Sequence, residues 1–158
     1  EPLVGHLAAW NYFQSVESDE NDAFIEAWHA FTGDEDRVTN DPMEAHYIGF
    51  NMWVKAVEKA GTTDVDTVID EIIGVSVPNL SGGYSTMMPN HHITKPVLIG
   101  EIQEDGQFDI VDQTDGQVAG EAWSDFLPDS AKLISDRRKP HNCGNFNVES
   151  KSCGGKGR

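Results

Sequence analysis

The sequence predicts an α/β fold, and a part of one rather than a whole. Three observations carry this reading. The middle of the chain has the apolar periodicity of three amphipathic helices. After residue 74 the pattern changes to short runs of branched and aromatic residues with a hairpin signal. Strand and helix patterns do not alternate through the chain, as they would in a complete α/β domain. The 158 residues suffice for one ordinary domain or a piece of a larger one, and this order of elements predicts the last third of something larger. At 38% hydrophobic residues the chain has material for a core and is too apolar to be wholly disordered.

Leu3 to Phe13 are mostly apolar and carry no formal charge, and a turn-like Ser15 to Ser18 follows. This predicts a buried strand. Phe24, Ile25, Trp28 and Phe31 then fall on one helix face, with Ser18 as cap, acids in the first turn and Thr32-Gly33 as the stop. The clearest helix start is Asp41-Pro42-Met43-Glu44. Asp41 is expected to cap, Pro42 stands where a missing N–H costs nothing, and Glu44 can reach back to complete a capping box. That helix should run to Ala60, stop at Gly61, and turn Tyr47, Phe50, Val54 and Val57 inward. A third helix opens near Thr63, repeats Val65, Val68, Ile69, Ile72 and Ile73, and ends at Gly74.

Short strands are expected at Val75 to Val77 and Tyr84 to Met88, with Gly82-Gly83 turning between them. Val97 to Gln103 and Phe108 to Asp112 flank Glu104-Asp105-Gly106-Gln107, where Asp-Gly supplies the positive φ a tight hairpin needs. Beyond Asp115 the pattern is irregular, with Trp123, Phe126 and Leu133 as expected anchors, and little regular structure is expected from Arg137 onward.

The formal charge of −16 is unevenly placed. Residues 132–158 hold seven Lys or Arg against two acids, and the first 131 residues hold four against 25. So acidic a body repels nucleic-acid phosphates and anionic lipid, which argues against both as partners; the basic tail reads as a solvated segment, the alternative being that Arg137-Arg138-Lys139 meets phosphate or an acidic surface. No run approaches the roughly 18 to 20 apolar residues of a spanning helix, so no membrane insertion is expected. The chain starts at Glu1 without an initiator Met or a charged-then-apolar leader. A removed export signal and a missing upstream part are both consistent with that. Cys143 and Cys153 lie close together in a Gly- and Asn-rich tail. A disulfide between them fits an extracytoplasmic protein. A zinc site would need two more ligands, with only His141 nearby, and two free thiols are the third reading.

Four stretches resemble one known family. Gly5-His6-Leu7-Ala8-Ala9-Trp10-Asn11-Tyr12-Phe13 looks like a late strand of the type I periplasmic binding proteins, in their urea and short-chain-amide branch. Asp41-Pro42-Met43-Glu44-Ala45-His46-Tyr47-Ile48-Gly49 looks like the opening of that branch's long helix. Pro89-Asn90-His91-His92 with Ile99-Gly100-Glu101-Ile102, and Trp123-Ser124 with Leu127-Pro128, complete the series in the family's order over roughly residues 1 to 130. The resemblance implies an α/β fold of two Rossmann-like lobes joined by three crossover strands, with ligand bound between the lobes. It implies that residues 1–14 form a late strand and crossover from the second lobe, and that 15–96 are part of the first lobe. Residues 97–131 would return toward the second lobe and close it, with 132–158 as a basic tail. This chain would then lack the start of both lobes and most ligand-gripping loops.

Urea has four N–H donors and one strong acceptor, so its pocket needs carboxylate or carbonyl acceptors, a donor, and little apolar room. Glu44 is the first candidate, because the resemblance turns its helical turn toward the cleft; its structural alternative is the capping box. Met43 and Tyr47 are candidate pocket walls, with core packing as the alternative. Trp10, near the expected hinge with Tyr12, is the fourth, and packing on the other lobe is its alternative. Adjacent residues on extended chain point opposite ways, so His91-His92 reads as structural rather than as a metal pair. No G-x-S-x-G elbow, phosphate loop or H-E-x-x-H occurs, and Ser81-Gly82-Gly83 lacks the Lys-Ser or Lys-Thr of a phosphate loop. No catalytic residue, metal or cofactor is expected.

The resemblance implies the extracytoplasmic substrate-binding component of an ABC transporter, presenting urea or a short-chain amide to permease subunits from the periplasm. The competing readings are a cytoplasmic amide-sensing regulator of the same fold, a branched-chain amino acid receptor, and an amidase.

Overall fold

The computed structural model describes residues 2–127, 130–132, 146–147 and 152–153. The chain divides into two compact units, Glu1–Gly120 and Glu121–Arg158. The first opens with strand β1 (Leu7–Trp10) and continues with helices α1 (Asp19–Thr32), α2 (Asp41–Ala60) and α3 (Val65–Glu71). Strands β2 (Ser76–Pro78), β3 (Tyr84–Thr86), β4 (Leu98–Ile102) and β5 (Phe108–Gln113) complete it.

Two antiparallel sheets result. In the larger, β4 lies between β1 and β5. Leu7 pairs with Glu101 and Trp10 with Leu98, while Ile102 pairs with Phe108 and Leu98 with Gln113, across an irregularity between Ile99 and Gly100. The β4–β5 turn closes where expected, with Gly106 at φ 84°. In the smaller sheet Ser76 pairs with Thr86 and Pro78 with Tyr84, across a turn held by the Asn79 N–H to the Gly83 carbonyl at 2.9 Å. β1 is shorter and more open than the strand expected over Leu3 to Phe13. Only β4 flanks it among the described residues, Leu7 and Trp10 are exposed, and burial begins at Tyr12 and Phe13.

Helix ends follow local chemistry. Ser18 caps α1 by accepting the Asn21 N–H, and Gly33 closes it at φ 66°. Gly61 closes α2 at φ 65°, and Asp64 caps the shorter α3. The start of α2 is a correction. Asn40, not Asp41, is the cap: its backbone is extended and its side chain accepts the Met43 N–H. Asp41 occupies the first helical position, and Glu44 makes no capping box, because its carboxylate is buried on Lys95.

The inward face of α2 also differs from the expected one. Glu44, Ile48, Met52 and Ala56, one turn apart, are buried, while Tyr47 and Phe50 are exposed and Val54 and Val57 half-buried. On α3 only Val68 is buried. Ile48 and Met52 pack on Val77 of β2, with Ile72, Val75, Met87 and Ile93 around them. A second cluster joins Tyr12, Phe13, Val16, Leu80 and Leu98, bordered by Phe24, Phe108 and Ile110.

The second unit holds a 3-10 turn, Ser130–Lys132, and a short antiparallel pair, β6 (Phe146–Asn147) with β7 (Ser152–Cys153). That pair is the little regular structure described beyond Arg137. Trp123 and Phe126 are exposed rather than anchoring. Leu133 lies outside the described residues, as do Cys143 and the bond expected between it and Cys153.

Candidate functional site

Asn11, just beyond β1, ties three segments together. Its N–H donates to Asp41 Oδ1 at 3.2 Å, its side-chain amide donates to the Pro96 carbonyl at 2.7 Å, and its own carbonyl accepts the Ser81 hydroxyl at 2.7 Å. The end of β1, the start of α2 and the entry to β4 are thereby drawn to one place. Trp10, at the end of β1, is exposed, and Tyr12, beyond the bend at Asn11, is buried.

Tyr12 is the centre of a buried polar network. Its hydroxyl donates to Asn21 Oδ1 at 2.7 Å and lies 2.7 Å from the Thr39 hydroxyl. Asn21 spends both amide protons on the carbonyls of Gln14 and Val16, and Thr39 also lies 3.1 Å from Gln14 Oε1. Burial pushes the Tyr12 pKa up to about 12; the Thr39 hydrogen bond opposes the shift and the nearby Glu44 charge adds to it.

A cleft of about 280 Å³ opens over this network. Trp10, Tyr12, Phe13 and Phe108 give it aromatic walls, Asn40 and Asp41 contribute the start of α2, and Gly106-Gln107 of the β4–β5 turn closes one side. Asp41 is the one formally charged residue of the lining among the described residues. Larger hollows exist. One, about 590 Å³, runs along α1 past Asp22, Glu26, His29 and Glu35; another, about 760 Å³, lies by Ser15, Ser81 and β5. The smaller cleft has the composition of a small-molecule site, apolar walls with a few convergent polar groups, and its volume approaches the low end of the ~300 to 1,000 Å³ such sites span.

Of the four residues expected at the site, Trp10 lines this cleft. Met43 is half-buried in the first turn of α2, and Tyr47 packs on Phe24 with ring centroids 4.9 Å apart. Glu44 is fully buried and ion-paired through Oε2 with Lys95. Its Oε1 has no hydrogen-bond partner among the described residues. Burial raises the Glu44 pKa, Lys95 opposes this by charge and hydrogen bond, and Asp41 adds to it. Lys95 is fixed by its backbone, which exchanges two hydrogen bonds with Val118 at 3.1 and 2.8 Å.

Sequence reasoning missed Lys95, Asn11, Asp41 as a wall, and Gln107. Lys95 carried a signal, being one of four cations in the first 131 residues and set in an uncharged stretch. His91 takes a left-handed φ of 60° in the turn before it. Among the described residues no group of three His, Cys, Asp or Glu side chains is placed to hold a metal ion. No helix there is long and apolar enough to cross a membrane.

Comparison with known proteins adds the lineage. The periplasmic binding protein domain family matches residues 1–129. A curated protein of Geobacillus stearothermophilus named limonene hydroxylase is 34% identical over 131 residues, which are 83% of this chain and 22% of that protein. A solute-binding protein of an ABC transporter from Rhodopseudomonas palustris HaA2, solved in complex with p-hydroxybenzoic acid, is 27% identical with a TM-score of 0.63. The match covers 75% of this chain and 33% of that one. A leucine-binding protein of Thermotoga maritima MSB8, 19% identical with a TM-score of 0.59, shares the fold over 72% of this chain and 31% of its own. The chain thus spans about a fifth of the curated relative and a third of the solved ones. The family and these solved neighbours are binding proteins. Over residues 1–129, this chain belongs to the periplasmic binding protein family and carries a part of its mixed α/β, type I fold.

Proposed function

We propose that this chain forms part of the ligand cleft and hinge of an extracytoplasmic receptor that delivers a small molecule to an ABC transporter's permease subunits, without turning it over. The cleft between Trp10, Asp41 and Gln107 is the observation that carries the proposal. Three separate segments, near residues 10, 40 and 107, wall it, and Asn11 ties the first to the second through Asp41, so a ligand seated in it would sense their relative position. Trp10 to Gln14 and Val97 to Ile102 serve as two of the crossovers between lobes. Since β1 and β4 are hydrogen-bonded neighbours, the two would bend together. Closure is then a population shift set by the ligand's greater affinity for the closed form.

Urea or a short-chain amide is the ligand implied by the sequence resemblance. The carboxylate of Asp41 and the side-chain carbonyls of Asn40 and Gln107 supply acceptors for its N–H groups. Trp10 is the wall of the site. Glu44 is assigned the role of fixing α2 to the segment before β4, through Lys95, rather than touching ligand. A second reading is an aromatic carboxylic acid. The aromatic walls favour it, being wider and more apolar than urea requires, and the R. palustris relative was solved with such an acid.

Calorimetric titration of the full-length receptor with urea, acetamide, p-hydroxybenzoate and leucine tests these readings. Binding of urea or acetamide is expected. Binding of p-hydroxybenzoate alone would move the assignment to the second reading, and leucine alone would overturn both. A protein that ignores small solutes yet turns over an amide would be an enzyme.

A further inference from the structure

The cleft over Tyr12 carries charge of one sign. Asp41 stands in its wall, with the Asn11 N–H on Oδ1 at 3.2 Å. At the β4–β5 turn the Gln107 N–H donates to Asp105 Oδ1 at 2.9 Å, so a second carboxylate adjoins the lining there. Residues 1–131 contain four cations, and none of them lines the cleft. Each is committed elsewhere. Lys95 pairs with Glu44, Lys59 with Glu71 at 2.7 Å and Arg37 with Asp34 at 3.6 Å, while Lys55 donates to the Ser76 carbonyl at 2.9 Å. The start of α2 offers an anion little. Free N–H groups and the dipole make helix N-termini attractive to anions. Here the Asn40 side chain takes the Met43 N–H at 3.1 Å, and Asp41 and Glu44 already occupy the first turn. The rings of Trp10, Phe13 and Phe108 complete the lining, and an aromatic face attracts cations.

We infer that Asp41 sets the charge of the ligand: the cleft takes a neutral or cationic N–H group, an amide or an amidinium, and rejects a carboxylate. This rests on the cleft being the ligand site, as proposed above. It argues against the aromatic-acid alternative on charge alone and leaves ligand size open. A planar amidinium presents two N–H groups to the Asp41 carboxylate, in charge-assisted hydrogen bonds. A carboxylate ligand in the same place brings like charges together, with no cation of residues 1–131 in the lining to offset them. Asn11 acts as a positioning residue, because its N–H fixes the orientation of the Asp41 side chain against the cleft.

Two series of near-isosteric ligands test the inference on the full-length receptor: acetamidinium, acetamide and acetate, then benzamidinium, benzamide and benzoate. Whichever series the cleft has room for, calorimetric titration near neutral pH is expected to give the same order within it. The amidinium should bind at least as tightly as the amide, and the carboxylate roughly 10-fold or more weakly than either. Asp41→Asn keeps an acceptor for the Asn11 N–H and removes the charge. It should bring the three affinities to within a few-fold of one another, chiefly by weakening the amidinium, and added salt should narrow the wild-type spread in the same direction. A carboxylate that binds the wild type as tightly as its amide would overturn the inference, and would mean that the rest of the receptor supplies a cation. If Asp41→Asn does not fold, the wild-type order and its salt dependence still decide. A preference for amide that survives Asp41→Asn leaves the receptor reading standing while this one falls. A receptor that binds no member of either series loses both.

Discussion

Glu44 and Lys95 stand 51 residues apart in sequence and form a buried ion pair. Neither local pattern nor periodicity announces such a pair; a capping box was the nearer reading of Glu44 because it needs only neighbours. Lys95→Met would strand a carboxylate in the interior, at a cost of about 3 to 5 kcal/mol near neutral pH. Burial already raises the Glu44 pKa. A carboxyl raised above its unfolded value of about 4.3 binds protons more tightly when folded. Its stabilising contribution is full below that value and is lost as pH rises through the folded pKa. The cost of Lys95→Met should therefore shrink on acidification, and the double variant Glu44→Gln/Lys95→Met should lose that dependence. Denaturant midpoints from acid to neutral pH measure it; a cost that does not change with pH would refute the assignment. Tyr12→Phe makes a different case, because it leaves fully buried Asn21 Oδ1 without its donor. A loss of about 1 to 3 kcal/mol is expected. Of the three tyrosines, the one ionising at about 12 in an ultraviolet titration should vanish with this substitution.

Element ends were legible in the sequence because they are decided within four or five residues. Ser18, Gly33 and Gly61 act where they were expected. The one slip at α2, Asp41 for Asn40, reflects two adjacent residues that cap comparably well; the extended backbone of Asn40 decides it. Faces were less legible. Periodicity on α2 is satisfied by the larger stripe of Tyr47 and Phe50 and by the smaller one of Ile48, Met52 and Ala56. Which of them a given chain buries depends on the elements available to cover it. Close approach between elements is likewise invisible before folding. Gly100, near the centre of β4, would place an added Cβ 2.8 Å from Phe13 ring carbons and 3.1 Å from Phe108 Cβ. Those two rings stack at 4.5 Å. Gly100→Ala should cost about 1 to 3 kcal/mol by overpacking, read as a shift of the denaturant midpoint. An unchanged midpoint would mean that the Phe13–Phe108 stack is loose.

At the scale of the whole molecule, composition and element order were enough to read an α/β fragment, and four quoted stretches were enough for the family. The cleft was only partly legible. Its walls come from residues near 10, 40 and 107, which lie far apart in sequence, and Asn11 joins only the first two, through Asp41. Trp10 was visible as an aromatic at a strand end, but Asp41 and Gln107 read as a cap and a turn residue. Trp10 therefore gives the most discriminating test of the receptor reading. It is 47% exposed and outside both core clusters, so Trp10→Ala should barely move the melting temperature of the ligand-free receptor. If it forms a wall against ligand, its truncation should remove about 1.4 to 2.7 kcal/mol of binding, or roughly 10- to 100-fold in Kd. The loss should be larger for a ring-bearing acid, which covers much of the indole when it stacks, than for urea, which covers little of it. Titrating the wild-type and Trp10→Ala receptors with the same ligands measures the ratio. Equal affinities for every ligand that binds would remove Trp10 from the cleft and return it to hinge packing.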